Sequence, residues 1–149
     1  MLNDSLDILL VEDEPADALL VKRALEKFGC KNPIVHVVDG EEALDYFFRR
    51  NRFADRRTDQ EPILVLLDLR LPKVDGHEVL RQIKETEVGR QIPVVVLTTS
   101  PDRPDMVKAY NMGANAYVTK PFSLESFSTM TQALKSFWID QNRTIYHVM

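Results

Sequence analysis

The sequence predicts an α/β fold, a doubly wound five-stranded parallel sheet, and three observations carry that expectation. Five short apolar runs, "LDILLV", "PIVHVV", "ILVLL", "PVVVL" and "AYV", are rich in Val, Ile and Leu and almost unbroken, as strands covered on both faces of a parallel sheet would be. Segments patterned as helices alternate with them. No repeat, low-complexity tract or shift in composition divides the 149 residues, a length that suits one well-covered core. Right-handed crossovers then put helices on both faces of the sheet.

Each element has a local reason. The first run, Leu6 to Val11, is followed by "PADALLVKRALEKFG", which opens with Pro15 and closes on Gly29. Leu19, Leu20, Ala24, Leu25 and Phe28 are spaced to form its buried face. The second run ends on Asp39-Gly40, which reads as a turn into the helix "GEEALDYFFRR". A loop from Asn51 to Pro62, long for such a unit, precedes the third run, Ile63 to Leu67. "GHEVLRQIKE", "PDMVKAYNMG" and "SLESFSTMTQALKSFW" supply the remaining helices. In the last of these, Phe127, Met130, Leu134 and Phe137 recur at helical spacing and are expected against the sheet, with Trp138 and Ile139 as extra bulk beside that stripe.

Charge and cysteine content narrow the function. A formal charge of −4 makes nucleic acid a poor default partner. The single cysteine, Cys30, forms no internal disulfide and stands in no metal-ligand spacing with the histidines. The N-terminal "MLNDSLDILLVEDE" carries acids where a signal peptide needs bases, and its apolar run is far below membrane-spanning length. A cytoplasmic protein without a membrane partner is expected. Arg49, Arg50, Arg52, Arg56 and Arg57 form the basic cluster of the long loop and read as a solvated surface.

Chemistry is concentrated where the apolar runs stop. The first ends on Glu12-Asp13, the third on Asp68, the fourth on Thr98-Thr99 and the fifth on Thr119-Lys120-Pro121. Ligands of such sheets bind outside the carboxyl ends of the strands. Three carboxylates brought together repel one another unless a cation joins them or a pKa rises. An all-oxygen set favours a hard ion, Mg²⁺ or Mn²⁺. Lys120 is a compact charge suited to a phosphate oxygen, and Thr98 offers a hydroxyl. Metal, amine and hydroxyl aimed at one carboxylate are the parts needed for in-line phosphoryl transfer onto it. Asp68 is therefore the candidate nucleophile. Taken singly, each residue also has a plainer role: an acid after a strand commonly caps a helix, and a lone Thr or Lys at a strand end is usually solvated.

The stretches "ILLVEDE", "LLDLRLPKVDG", "PVVVLTTS" and "AYVTKPF" together resemble the receiver domain of two-component response regulators, from Asp7 to Gln141. That resemblance implies the flavodoxin-like strand order 2-1-3-4-5. It also implies Asp68 as phosphoacceptor, Glu12 and Asp13 as metal-binding acids with the backbone carbonyl of Arg70, Thr98 as the switch hydroxyl, Lys120 as the phosphate-pairing amine and Tyr117 as the switch aromatic. Arg70 and Ser100 fall at positions that tune dephosphorylation in the family. The extended segment "RRNRFADRRTDQEP", with "DGEEALDYFFRR", "IPVVVLTTS" and "SFW", is similar to stand-alone regulators paired with cyanobacterial and bacterial phytochromes. A phytochrome-like histidine kinase is the implied partner.

Two other classes share parts of this pattern. A haloacid-dehalogenase-type phosphatase also uses an aspartate nucleophile, but it resembles D-x-D with a second acid where Arg70 stands, and Arg does no acid-base work at neutral pH. A flavodoxin-type flavin carrier needs a phosphate-cradling loop after its first strand, where "VEDEPAD" would repel phosphate. A receiver-like interaction module with a silent site is a third. The reading adopted is a receiver over residues 1–141 with a tail over 142–149 and no output domain. It is no enzyme beyond its own phosphorylation and dephosphorylation, and it signals through protein contacts. A homodimer through the fifth unit and the tail residues Ile145, Tyr146, Val148 and Met149 is expected, and so is a cis Lys120-Pro121 bond.

Overall fold

The computed structural model describes residues 5–145. Five parallel strands, β1 (Ile8–Val11), β2 (Ile34–Val37), β3 (Leu64–Leu67), β4 (Val94–Thr98) and β5 (Ala116–Thr119), lie in the order β2-β1-β3-β4-β5. The helices are α1 (Pro15–Lys27), α2 (Gly40–Phe48), α3 (Gly76–Lys84), α4 (Arg103–Asn111) and α5 (Leu124–Leu134). This is the doubly wound sheet that the alternation of runs predicts, in the flavodoxin-like order that the resemblance implies.

The two-residue period of the strands splits the apolar side chains into two cores. Leu9, Val11, Val65, Leu67, Val94 and Val96 face α2 and α3, meeting Leu44, Phe47, Val79, Leu80 and Ile83. Ile8, Leu10, Leu64, Leu66, Val95 and Leu97 face α1 and α5, meeting Val21, Leu25, Phe127 and Leu134. Unbroken burial on both faces holds for β1, β3 and β4, whereas the edge strands β2 and β5 are mostly half-buried. An edge strand lacks a neighbour on one side, so its apolar run overstates its burial.

Several expectations are corrected. Leu19 is 46% exposed, and α1 buries Ala18, Val21, Ala24 and Leu25 instead. The run of apolar residues from Ala18 to Val21 offers more than one helical phase, and the stripe through Ala18, Val21 and Leu25 wins. At the other end, α5 passes into a π-helical turn over Lys135–Gln141. The wider turn advances the inward position by about one residue. Phe137 is thus 51% exposed, while Trp138 and Ile139 pack against the core. Of the tail, Ile145 is exposed; Tyr146, Val148 and Met149 lie outside the described residues.

The arginine loop is not simply solvated. Arg56 stacks 4.1 Å over the Tyr46 ring and donates to the Tyr46 carbonyl at 2.9 Å. Arg49 and Arg56 share the buried Glu61 carboxylate at 2.9 and 3.4 Å, and Tyr46 donates to Asp7 at 2.7 Å. Two of the five arginines therefore fasten the loop to α2, and Arg50, Arg52 and Arg57 pair with Asp45, Glu42 and Asp59 on its surface.

Candidate active site at the strand ends

Backbone bonds carry the ladder one residue past the strands. Glu12 N–H donates to the Val37 carbonyl at 3.0 Å, Asp68 N–H to Val11 at 3.1 Å, and Lys120 N–H to Thr98 at 2.7 Å. The sheet's register is thereby imposed on the chemical residues that follow it. The turn after β3 is held by a close approach: a Cβ on Gly76 would stand 2.3 Å from the Asp68 carbonyl oxygen. Only glycine fits there.

Glu12, Asp13 and Asp68 each bring a carboxylate oxygen within 4.8 Å of the others. Glu12 and Asp68 are buried and Asp13 is exposed. Lys120, also buried, reaches this cluster from β5 and donates to Glu12 Oε1 at 2.5 Å, Asp17 Oδ2 at 2.9 Å and Asp68 Oδ2 at 3.0 Å. It does so although every described peptide bond, Lys120-Pro121 included, is trans. The expected cis bond is not needed, because the four-carbon stem of Lys120 spans the distance from β5.

Electrostatics follow from that crowding. Burial, aided by the charge of Asp68, pushes Glu12 up to about 7 despite its bond from Lys120. For Lys120, burial opposes the charge, but the bonds to Glu12 and Asp17 outweigh it and hold the amine charged. Glu12 Oε2 also accepts from the Glu14 N–H at 3.1 Å, so one acid serves both the cluster and the turn into α1. The carboxylate set, all oxygen and short of positive charge, fits a hard divalent cation.

Thr98 is fully buried at the end of β4, and its Oγ1 accepts from Ser100 N–H at 3.4 Å. Tyr117 is half-buried and donates its hydroxyl to the Ser100 carbonyl at 2.8 Å. Arg70 N–H donates to Asp68 Oδ1 at 3.2 Å, while its guanidinium swings to Asp105 Oδ2, also at 3.2 Å. Asp39 caps α2 through Glu42 N–H at 2.8 Å, as its turn reading requires.

Asp17 and Asp105 were missed by sequence reasoning. Both stand in the first turn of a helix, where an acid is already explained by the helix dipole. The available signal was position: each helix follows directly on a strand end that carries the chemistry.

The model of the response regulator receiver domain matches residues 8–132. The chain is 47% identical over 141 residues to the probable methanogenesis regulatory protein FilR2 of Methanothrix harundinacea, covering 95% of this chain and 88% of that one. Among solved structures, the phosphorylated cyanobacterial phytochrome response regulator RcpA is 36% identical with a TM-score of 0.88, covering 95% of this chain and 99% of that one. The Mn²⁺-bound form of response regulator Rcp1, a Synechocystis protein, is 37% identical with a TM-score of 0.86, covering 93% and 97%.

Proposed function

The chain belongs to the response regulator receiver domain family, and from that premise we propose that Asp68 accepts a phosphoryl group from a histidine kinase, with the altered surface read by another protein. The observation that carries this reading is the single amine of Lys120, reaching from the end of β5, shared by Asp68 and Glu12 beside Asp13 at the adjoining ends of β3 and β1. An Asp68 carboxylate oxygen attacks phosphorus, forming a P–O bond as the P–N bond to the kinase imidazole breaks. The electron pair leaves on that nitrogen, which takes up a proton from solvent. Lys120 moves from carboxylate to phosphoryl oxygen, and Thr98 donates its hydroxyl to another. Glu12, Asp13 and Asp68, with the backbone carbonyl of Arg70, would hold Mg²⁺ or Mn²⁺, which when bound supplies positive charge to the phosphoryl oxygens. Tyr117 turns inward behind Thr98 in the active state.

The kinase is of phytochrome type, a reading supported by the likeness to RcpA, a protein named for that role. Residues 1–141 act as the receiver and 142–149 as a tail. Phe137 and Ile145, at 51% and 71% exposure, offer apolar surface for a homodimer. Incubation with acetyl phosphate and Mg²⁺ should add one phosphoryl group by intact mass, and Asp68→Asn should abolish it. An undiminished mass gain in that variant defeats the assignment. Light scattering tests the dimer, which fails if the chain stays monomeric at micromolar concentration both with and without phosphorylation.

A further inference from the structure

A chain of polar contacts runs from the phosphoacceptor to both switch residues, and it passes through a side chain that the proposed chemistry does not use. Arg70, whose N–H rests on Asp68, places its guanidinium on Asp105 Oδ2. The same oxygen accepts the Ser100 hydroxyl at 2.6 Å. Ser100 in turn donates its N–H to Thr98 Oγ1 and offers its carbonyl to the Tyr117 hydroxyl. The Asp105 carbonyl also lies 3.2 Å from His77 Nε2, so the start of α4 is fixed to α3 as well. Ser100's hydroxyl first, and the charge of Arg70 after it, hold the Asp105 carboxyl below the usual range.

We infer that Asp105 is a positioning residue that latches the unphosphorylated state, holding Arg70 away from the phosphoryl position and Ser100 against the switch pair. The inference rests on the functional reading above. The Arg70 side chain is 68% exposed and anchored at its tip by this contact, so it is free to exchange partners. A phosphoryl group on Asp68 presents more negative charge than the carboxylate it replaces, and its oxygens suit a guanidinium fork. When Arg70 transfers to them, Asp105 loses its cation and the segment holding Ser100 loosens. Thr98 is then free to meet the phosphoryl group. A contact present only in the resting state biases the equilibrium against phosphorylation by its own free energy.

The test compares phosphorylation rates with acetyl phosphate and Mg²⁺, read by intact mass, for Asp105→Asn alone and together with Arg70→Met. Asn keeps an acceptor for Ser100 but removes the charge that holds Arg70. The expected result is phosphorylation about threefold faster than wild type, the scale of a partly exposed ion pair, with no gain when Arg70→Met is already present. Asp105→Glu, which keeps the charge, should stay within about twofold of wild type, whereas a merely structural role would move both substitutions alike. An unchanged rate in Asp105→Asn, an equal gain in both backgrounds, or equal effects of Asn and Glu would overturn the latch. Absence of phosphoryl uptake by the wild type would instead overturn the functional reading and the latch with it.

Discussion

Replacing Lys120 with methionine removes a cation bonded to three acids and leaves their charges to find another solution. Lys120, Glu12 and Asp68 are all buried, so solvent screens their attraction poorly; Asp17 is more open and contributes less. Breaking a buried pair by deleting one partner costs about 3–5 kcal/mol. Methionine fills much of the same volume, so lost packing is a small part of that figure. With a urea slope of about 2 kcal/mol per molar for a domain of this size, the unfolding midpoint should fall by about 2 M at pH 8 in EDTA. Trp138, packed against the α1/α5 core, supplies the fluorescence signal. The loss should shrink as pH falls. Glu12 is already pushed up to about 7 from an ordinary 4.5, and losing the amine moves it further up. The folded state then binds more protons than the unfolded one between 4.5 and the raised value, so stability is gained below that window and lost on rising through it. Adding Glu12→Gln to Lys120→Met should recover part of the deficit at pH 8. A midpoint within about 0.5 M of wild type at pH 8, or no recovery with Glu12→Gln, would refute the view that Lys120 neutralises the buried acids.

Two further outcomes follow from groups around this site and from the opposite end of the sheet. Lys84 is buried with its amine 2.6 Å from the Ile92 carbonyl and 2.9 Å from Asn115 Oδ1, and burial pushes it down to about 8 from 10.5. Between those values the unfolded chain binds the extra proton, so stability rises with pH; relative to Lys84→Met the wild type should gain up to about 3 kcal/mol from pH 7.5 to 10.5, and parallel curves in urea melts would exclude this. Gly76→Ala sets a Cβ 2.3 Å from the Asp68 carbonyl and 2.5 Å from Leu69 Cα, so the backbone carrying Asp68 must shift. Phosphorylation by acetyl phosphate should slow by more than about tenfold, and wild-type kinetics would show that the turn yields without moving Asp68.

What could be read from the chain alone was local or periodic. The apolar runs of β1, β3 and β4 are their own evidence of burial on both faces, and the residue that follows each run is delivered to the ligand-binding edge by the parallel register. Glu12, Asp13, Asp68, Thr98 and Lys120 were accessible for that reason. Asp39 was separable from them because its strand lies at the sheet's edge and its carboxylate has a nearer use, capping α2. Residues whose importance depends on a distant partner were not legible. Nothing adjacent to Arg56 announces that it will lie on Tyr46, and nothing near Asp17 announces Lys120, 103 positions away. Phase within a helix failed where the apolar residues outnumber the buried positions, as at Leu19, or where the turn itself widens, as at Phe137 and Trp138.

Those failures share a cause that bears on how the site works. The residues that follow the strands are held by backbone hydrogen bonds of the sheet, whose geometry repeats and which open only with the fold. Asp17, Arg70 and Asp105 are held by side-chain ion pairs on first turns and loops, each pair with at least one partly solvent-accessible member and so screened more than a fully buried one. Under the proposed function, a site that changes state on gaining one phosphoryl group needs both kinds. Strand ends fix Asp68 beside Glu12 and Lys120, which would give the proposed transfer a defined geometry. Contacts that can be exchanged at small free-energy cost surround them, which is what the proposed added charge would displace. Tyr117 and Ser100 stand at the boundary between the two, joined to β4 and β5 on one side and to Asp105 on the other. The part of the site hardest to read from sequence is thus the part the proposed function would move, because its partners are chosen by weak, replaceable contacts rather than by the period of the sheet.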